Sequence, residues 1–359
     1  MARLISEGRV EEASGVNEPG SGPGRPGATL TAVATGELVA AIDFGSTHIN
    51  VAIGDALGRL VAQEHVEIDT HALTEEAMDA AAQGIASLKS GCGEQLAAIV
   101  AGIPVHLNRR SGIVDSTIQS GWLGRVPQSE LSRRLGQSVH IENDAVLGAY
   151  GELIVGAGRA HRDFCYVKVA HGIGAGLVVG GRLYRGGLGL GGQVGHSRVP
   201  GRSELCRCGR RGCLEAAVCV PVIQAQLAVA HASPPATRTE EVGRLGRPVW
   251  STGRPLAGQW ISADEIPVLD DAASKHILAA AGSTLGEGLA PVCNLLNPTA
   301  LILGGDLGGS ADFIAGTAAA VERYSQPGIA ATVEVLSAEL GELAELTGGL
   351  RLAGRLALK

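Results

Sequence analysis

Aromatic side chains are scarce: three Phe, four Tyr and three Trp supply 3% of 359 residues. A core of normal density must then be packed with Ala, Val, Leu and Gly. Neither an apolar run of membrane-spanning length nor a signal-peptide pattern is visible, so no membrane association and a cytoplasmic location are expected. Excess basic charge is also missing. The net charge of −7 argues against a chain that is itself a nucleic-acid-binding body. The seven cysteines are not spread as a disulfide framework. Cys92, Cys165, Cys219 and Cys293 are scattered and read as reduced small hydrophobes. What the chain does have is 45% hydrophobic residues and 53 glycines without a period. That supports a globular core long enough for two lobes, with many turns and phosphate-type loops.

The stretch that carries most chemistry is GLGLGGQVGHSRVPGRSELCRCGRRGCLE. Cys206 and Cys208 stand two apart, Cys213 follows five later, and His196 precedes them. Three thiols and one imidazole complete a tetrahedral zinc set, with no position left open, so the zinc is expected to be structural. Gly209 and Gly212 fall inside the loop, where a tight knuckle needs positive φ or close backbone approach.

From Leu38, LVAAIDFGSTHINVAIGD reads as strand, turn and strand, and residues 57–68 as a third strand. The Gly45-Ser46-Thr47 turn can bring backbone N–H groups and hydroxyls to a phosphate, and Asp43 can position a magnesium ion through water. LTEEAMDAAAQGIASLKSG predicts an amphipathic helix with Thr74 as N-cap, and LAAIVAGIPV a buried parallel strand. Ser129 to Leu135 predicts a short helix and Val139 to Ile141 a strand. Glu142-Asn143-Asp144 then falls at a strand's C-terminal end, where α/β folds place ligand groups. Asp144 suits a general base toward a sugar hydroxyl and Asn143 a partner for its neighbours. The same two residues equally suit a helix cap. DFCYVKVAHGIGAGLVVGGRLY predicts strand, glycine loop, strand, turn and strand, with Gly172, Gly174 and Gly176 allowing backbone to approach a phosphate. LEAAVCVPVIQAQLAVAHA predicts a helix broken at Pro221, residues 233–262 a surface loop, and residues 264–295 a helix. A turn, a buried strand and a glycine loop follow in NPTALILGGDLGG. The chain closes with a helix, a strand and an amphipathic last helix, GELAELTGGLRLAGRLAL.

C-x-C-G-x-x-G-C-L-E preceded by G-H resembles the signature of the ROK family (repressors, open reading frames and sugar kinases). The resemblance covers about residues 38–355. It implies an α/β fold of two actin-like lobes, a sugar cleft between them and a structural zinc knuckle. The expected divisions are residues 1–36 as leader, 37–155 and 156–340 as lobes, and 341–359 as a helix returning to the first lobe. On the family pattern Asp144 is the catalytic base. Asn143, Asp144, Gln193 and His196 contact the sugar. Asp43, Gly45, Ser46, Thr47, His171, Gly172, Gly174, Gly304 and Gly305 face the nucleotide phosphates. ATP and magnesium are then cofactors beside zinc. Three positions depart from the pattern. His171 takes the place of a threonine in the glycine loop, Gln193 that of a glutamate, and Val146 that of a frequent asparagine. Gly8, Val10, Gly24, Arg25 and Pro26 resemble the wing that ends a winged helix-turn-helix, here without its first helices. These features imply a sugar-responsive transcriptional regulator whose DNA-binding domain is incomplete in this chain. DNA is then a partner only if the missing part is present. The alternative is an ATP-dependent sugar kinase of glucokinase type, and a third reading is a ligand-binding remnant with neither activity. A homodimer or homotetramer is expected.

Overall fold

The computed structural model describes residues 10–12, 30–32, 37–90, 95–114, 121–231, 263 and 265–358. The 233–262 loop, Cys92 and the wing-like residues Gly8, Gly24, Arg25 and Pro26 lie outside them. Strands β1 (Val10–Glu12) and β2 (Leu30–Ala32) pair antiparallel. Next come β3 (Leu38–Phe44), β4 (His48–Asp55) and β5 (Leu60–Glu67) as an antiparallel meander. Helix α1 (Thr74–Ser90) leads to β6 (Leu96–Ile103), and α2 (Pro127–Leu135) to β7 (Val139–Asn143). Both strands continue parallel to β3, giving the order β5-β4-β3-β6-β7.

After α3 (Asp144–Val155) the pattern repeats. Strands β8 (Phe164–Val169), β9 (Ile173–Val179) and β10 (Arg182–Tyr184) form the meander. Helices α4 (Leu214–Val218), α5 (Val220–His231) and α6 (Ala272–Leu296) lead to β11 (Ala300–Gly304). Then α7 (Ala311–Tyr324) and α8 (Pro327–Ala330) lead to β12 (Glu334–Ser337), and α9 (Ala344–Ala357) ends the chain. The order β10-β9-β8-β11-β12 repeats that of the first sheet, with the last two strands again parallel.

Period-two alternation decides which face of each strand meets which helix. Ala40, Ile42 and Phe44 of β3 pack with Ala77 and Met78 of α1. Val39 and Ala41 face the other way, onto Leu147 and Tyr150 of α3 and Leu346 and Leu350 of α9. In the second sheet Phe164 and Tyr166 pack against Ala149 of α3 and Ala344 of α9. Cys165, Val167 and Val169 face Leu285 and Leu289 of α6. Helices α3 and α9 therefore form a layer shared by both sheets. With few aromatics available, close backbone approach replaces bulk there. A Cβ on Gly348 would stand 1.9 Å from the Leu147 carbonyl oxygen, and one on Gly151 2.5 Å from that of Ala344. Some of the many glycines expected in turns thus serve helix packing.

Four local expectations are corrected. Thr74 is the first residue of α1 and does not cap it; its hydroxyl donates to the Thr70 carbonyl, while Asp69 accepts from the His71 and Ala72 amides. The break expected at Pro221 falls at Cys219, because proline is tolerated in a helix's first turn. The helix expected from residue 264 begins at Ala272, capped by Asp271, whose carboxylate accepts from the amides of Ala273 and Ser274. Finally, Leu214–His231 is long and apolar enough to span a membrane by composition. Its Leu214, Val218, Ile223 and Leu227 are core residues packed with α6, which explains the apolar run. Cys165, Cys219 and Cys293 are free and buried, as expected.

The α3–α9 crossing generates a stability prediction. Gly348→Ala should cost roughly 1–3 kcal/mol through overpacking, read as a lower urea midpoint, whereas Gly187→Ala, with nothing near its Cβ position and no left-handed φ, should lack that cost.

Candidate functional site

The parallel strands place their C-terminal ends at one edge. Asp43 is paired in register with Gly102, and Gly102 with Glu142. Gly102 contributes no side chain, so Asp43 and Asp144 face one another across it. A Cβ there would lie 3.6 Å from Asp43 Oδ1 and 3.7 Å from the Asp144 Cα. The edge opens into a cleft of about 1050 Å3. Asp43, Gly45, Ser46, Thr47, Asn143, Asp144, His171, Gly172, Gly174, Gln193, His196 and Gly305 all line it. Gly304 does not. It lies under the Tyr166 ring, whose hydroxyl would be 2.2 Å from its Cβ. Cys206, Cys208 and Cys213 sit behind His196, outside the lining.

Asn143 caps α3, its Oδ1 accepting from the Val146 amide at 3.3 Å, while its Nδ2 donates to Asp144 Oδ1 at 3.0 Å. Asp144 Oδ1 also accepts from the Ala145 amide at 2.8 Å. Its second oxygen, Oδ2, accepts from Lys168 Nζ at 3.1 Å. Both Asp144 oxygens are therefore engaged.

Lys168 was not foreseen as a site residue. It pairs in register with Gly174 on one side and Gly304 on the other, so neither neighbour crowds its stem. It reaches Asp144 and, at 3.5 Å, Glu345 Oε1 of α9. Tyr166, two residues earlier on the same face, donates its hydroxyl to that oxygen at 2.9 Å. Burial alone would lower the lysine, but Asp144, Glu345 and Asp43 together hold it well above its ordinary value. Burial pushes Glu345 up to about 7 against the pull of Lys168. Burial also raises Asp43, again opposed by Lys168, and its Oδ1 is buried without a hydrogen-bond partner. A charged residue inside the apolar run FCYVKVA was the available signal for Lys168; for Glu345 it was a carboxylate on the apolar face of α9.

The cysteine segment is tied to the glycine loop. Arg207 Nε donates to Glu215 Oε1 at 2.7 Å, and Glu215 Oε2 accepts from the Ile173 amide at 3.0 Å. Arg207 and Glu215 both line the cleft and were also not foreseen. His48, a further unforeseen lining residue, lays its ring over Gly45. Gln193 extends an exposed side chain into the cleft. The His171 ring is held below the ordinary imidazole value, chiefly by burial and then by Arg207. One ligand atom each from His196, Cys206, Cys208 and Cys213 lies within 4.8 Å of the others. His196 Nδ1 is 3.7 Å from Cys206 Sγ, and Cys208 Sγ 3.7 Å from Cys213 Sγ.

The ROK family model matches residues 39–355. This chain belongs to the ROK family. The glucokinase of Streptomyces coelicolor is 29% identical to this ROK chain over 322 residues, covering 88% of it and 97% of the relative. The xylose repressor of Bacillus subtilis is 28% identical over 264 residues, 73% of this chain and 62% of the repressor. The ROK chain thus spans less than two thirds of that repressor. Among solved structures, a ROK family glucokinase from Streptomyces griseus in complex with glucose and AMPPNP superposes with TM-score 0.72 and 25% identity, covering 89% of this chain and 99% of that one. A ROK family transcriptional regulator, homolog of the E. coli MLC protein, gives TM-score 0.75 at 20% identity over 99% of this chain and 87% of its own. That likeness is one of fold.

His71, in the loop before α1, gives the site a pH prediction. Burial, and after it Arg207, depress its imidazole to about 4, and both ring nitrogens are buried without partners among the described residues. The unfolded chain takes up a proton near 6.5 that the folded chain refuses, so this contribution is intact above that pH and lost as pH falls toward 4. Between those limits the wild-type protein should lose up to about 1.4 kcal/mol per pH unit more than His71→Leu, measured by denaturant titration; parallel curves would contradict it.

Proposed function

We propose that this chain is the sugar-binding body of a ROK-type transcriptional regulator and that it binds a monosaccharide without phosphorylating it. The observation that carries this reading is the engagement of Asp144. A general base must take up the proton of the sugar hydroxyl, and protonating Asp144 would work against its ion pair with Lys168 Nζ, which donates to the oxygen that the helix start leaves open. Two further residues agree. His171 stands where the kinases carry a hydroxyl. Gln193 offers an amide where they carry a carboxylate, which weakens a hydrogen bond that charge would roughly double in strength. Asn143, Asp144, Gln193 and His196 are the proposed sugar contacts, in a cleft between two actin-like lobes.

His196, Cys206, Cys208 and Cys213 are the proposed holders of a structural zinc ion. Tetrahedral zinc with these donors requires edges of about 3.5–3.8 Å, and the two separations of 3.7 Å match that. Such an ion would fix the knuckle that carries Arg207 and Glu215. The β1–β2 ribbon is the proposed wing of a DNA-binding unit. The DNA contact itself would require a recognition helix.

The second reading, an ATP-dependent sugar kinase of glucokinase type, is favoured by one observation. The chain covers 97% of the Streptomyces coelicolor glucokinase but 62% of the xylose repressor. In that reading Asp144 is the base, and Asp43 with the two glycine loops faces magnesium and ATP. The two readings part on coupling. Calorimetry with a panel of hexoses, pentoses and N-acetylhexosamines should find a sugar whose affinity is unchanged, within about twofold, by magnesium and AMPPNP, since a site that does not bind the nucleotide has no coupling energy to share. Gln193→Glu should tighten that sugar. A strong mutual enhancement by nucleotide, or no sugar bound by either form, overturns the proposal. Metal analysis of the purified protein should give one zinc per chain, lost in Cys208→Ser.

A further inference from the structure

Two fixed cations, Lys168 and Arg207, stand among the described residues lining the cleft, and each is already paired. Arg207 is held by Glu215. Lys168 is placed differently, paired with two carboxylates from separate elements, Asp144 at the start of α3 and Glu345 on α9, while a third, Asp43 at the end of β3, faces Asp144 across Gly102. With Asp144 and Glu345 on the ammonium and Asp43 beside them, the cluster offers no spare positive charge, so it is no receptor for an anionic ligand. Buried convergent carboxylates are what a hard divalent cation takes, with oxygen ligands at about 2.0–2.6 Å. Asp43 adds an independent mark of such a place. It is 2% exposed, lines the cleft and carries an oxygen with no hydrogen-bond partner. An ammonium on a four-carbon stem satisfies the charge of that place but cannot satisfy every oxygen in it.

We propose that Lys168 is a tethered cation holding the position among Asp43, Asp144 and Glu345 that a divalent ion would otherwise occupy, so that the cleft admits a sugar and excludes a metal–nucleotide complex. Lys168 is thus a specificity-determining residue, and the inference rests on the sugar-binding reading above. The fold prepares its place. Gly174 and Gly304 flank it in register, and the Tyr166 hydroxyl holds Glu345 toward it. A second cation entering this cluster would stand a few ångströms from the ammonium, where repulsion is screened far less than in water. Nucleotide phosphates, which enter active sites with divalent ions, then find neither a free cation among the described lining residues nor a place to bring one.

The test uses manganese as the probe, on the full-length protein with its knuckle metal in place. Bound Mn2+ is counted by electron paramagnetic resonance, and its stabilising effect is read as a shift of the melting temperature. Lys168→Ala should bind Mn2+ at least about tenfold more tightly than wild type. The gain should vanish in Lys168→Ala/Asp43→Asn, and Lys168→Arg should behave as wild type. Lys168→Met/Glu345→Gln removes the ammonium together with one of its acid partners and guards against a single variant that fails to fold; it too should gain the ion. Equal Mn2+ affinity in wild type and the lysine-free variants, or a gain that survives Asp43→Asn, overturns the proposal. Sugar calorimetry on the same variants separates the two readings. Loss of the sugar from wild type would sink the sugar-binding function while leaving the manganese comparison standing.

Discussion

Helices α3 and α9 approach more closely than side chains permit, and the positions of the cleft groups depend on that approach. Gly348 lies against the Leu147 carbonyl and Gly151 against that of Ala344. Because this pair is shared by both sheets, α3 carries Asp144 from the first sheet's edge toward Lys168 of the second. The same crossing brings Glu345 to the face of β8 that holds Tyr166. A chain with more aromatic residues could fill such a layer with rings. Here glycine and alanine let backbones meet, and dispersion along the close helices replaces bulk.

Upon that crossing sits a buried ionic group whose balance is unusual for a place expected to hold a nucleophile's base. Burying a charge is costly unless it is paired. Lys168 is paired twice, yet Asp43 retains an oxygen without a partner. The cost is consistent with a place kept for function, as perturbed and under-satisfied groups tend to cluster at sites. A second link, Arg207 to Glu215 to the Ile173 amide, joins the cysteine knuckle to the glycine loop. A metal held by the knuckle would therefore act on the cleft through these residues as well as through His196.

The fold was legible where apolar runs and punctuation are strong. LVAAIDF, LAAIVAGI and ALILG read as strands because apolar residues fill both faces. The Cys-x-Cys knuckle was legible because thiols among glycines and arginines have little to do in a core. Helix starts were less so. Thr74 and Pro221 carry start signals, yet the Thr74 hydroxyl turns back to the Thr70 carbonyl and the helix break falls at Cys219, which local propensity cannot weigh. The cleft was half legible. Motif residues at strand ends were visible because loops advertise them, and all but Glu142, Gly176, Gly304 and the three knuckle cysteines line it; Gly176 instead packs against α3, its Cβ position 2.4 Å from the Ala145 carbonyl oxygen. Lys168 and Glu345 were missed because each sits inside a regular element, and their meeting depends on a contact across 177 residues.

The account's central claim is that Asp144 is engaged and its site closed to phosphoryl transfer. The most direct measurement is product formation by the unmodified chain, with ATP, magnesium and the sugar that calorimetry identifies, compared with Asp144→Asn. The account predicts no sugar phosphate above the level of the Asp144→Asn protein. Robust, Asp144-dependent phosphorylation of the sugar would contradict it and establish the kinase reading.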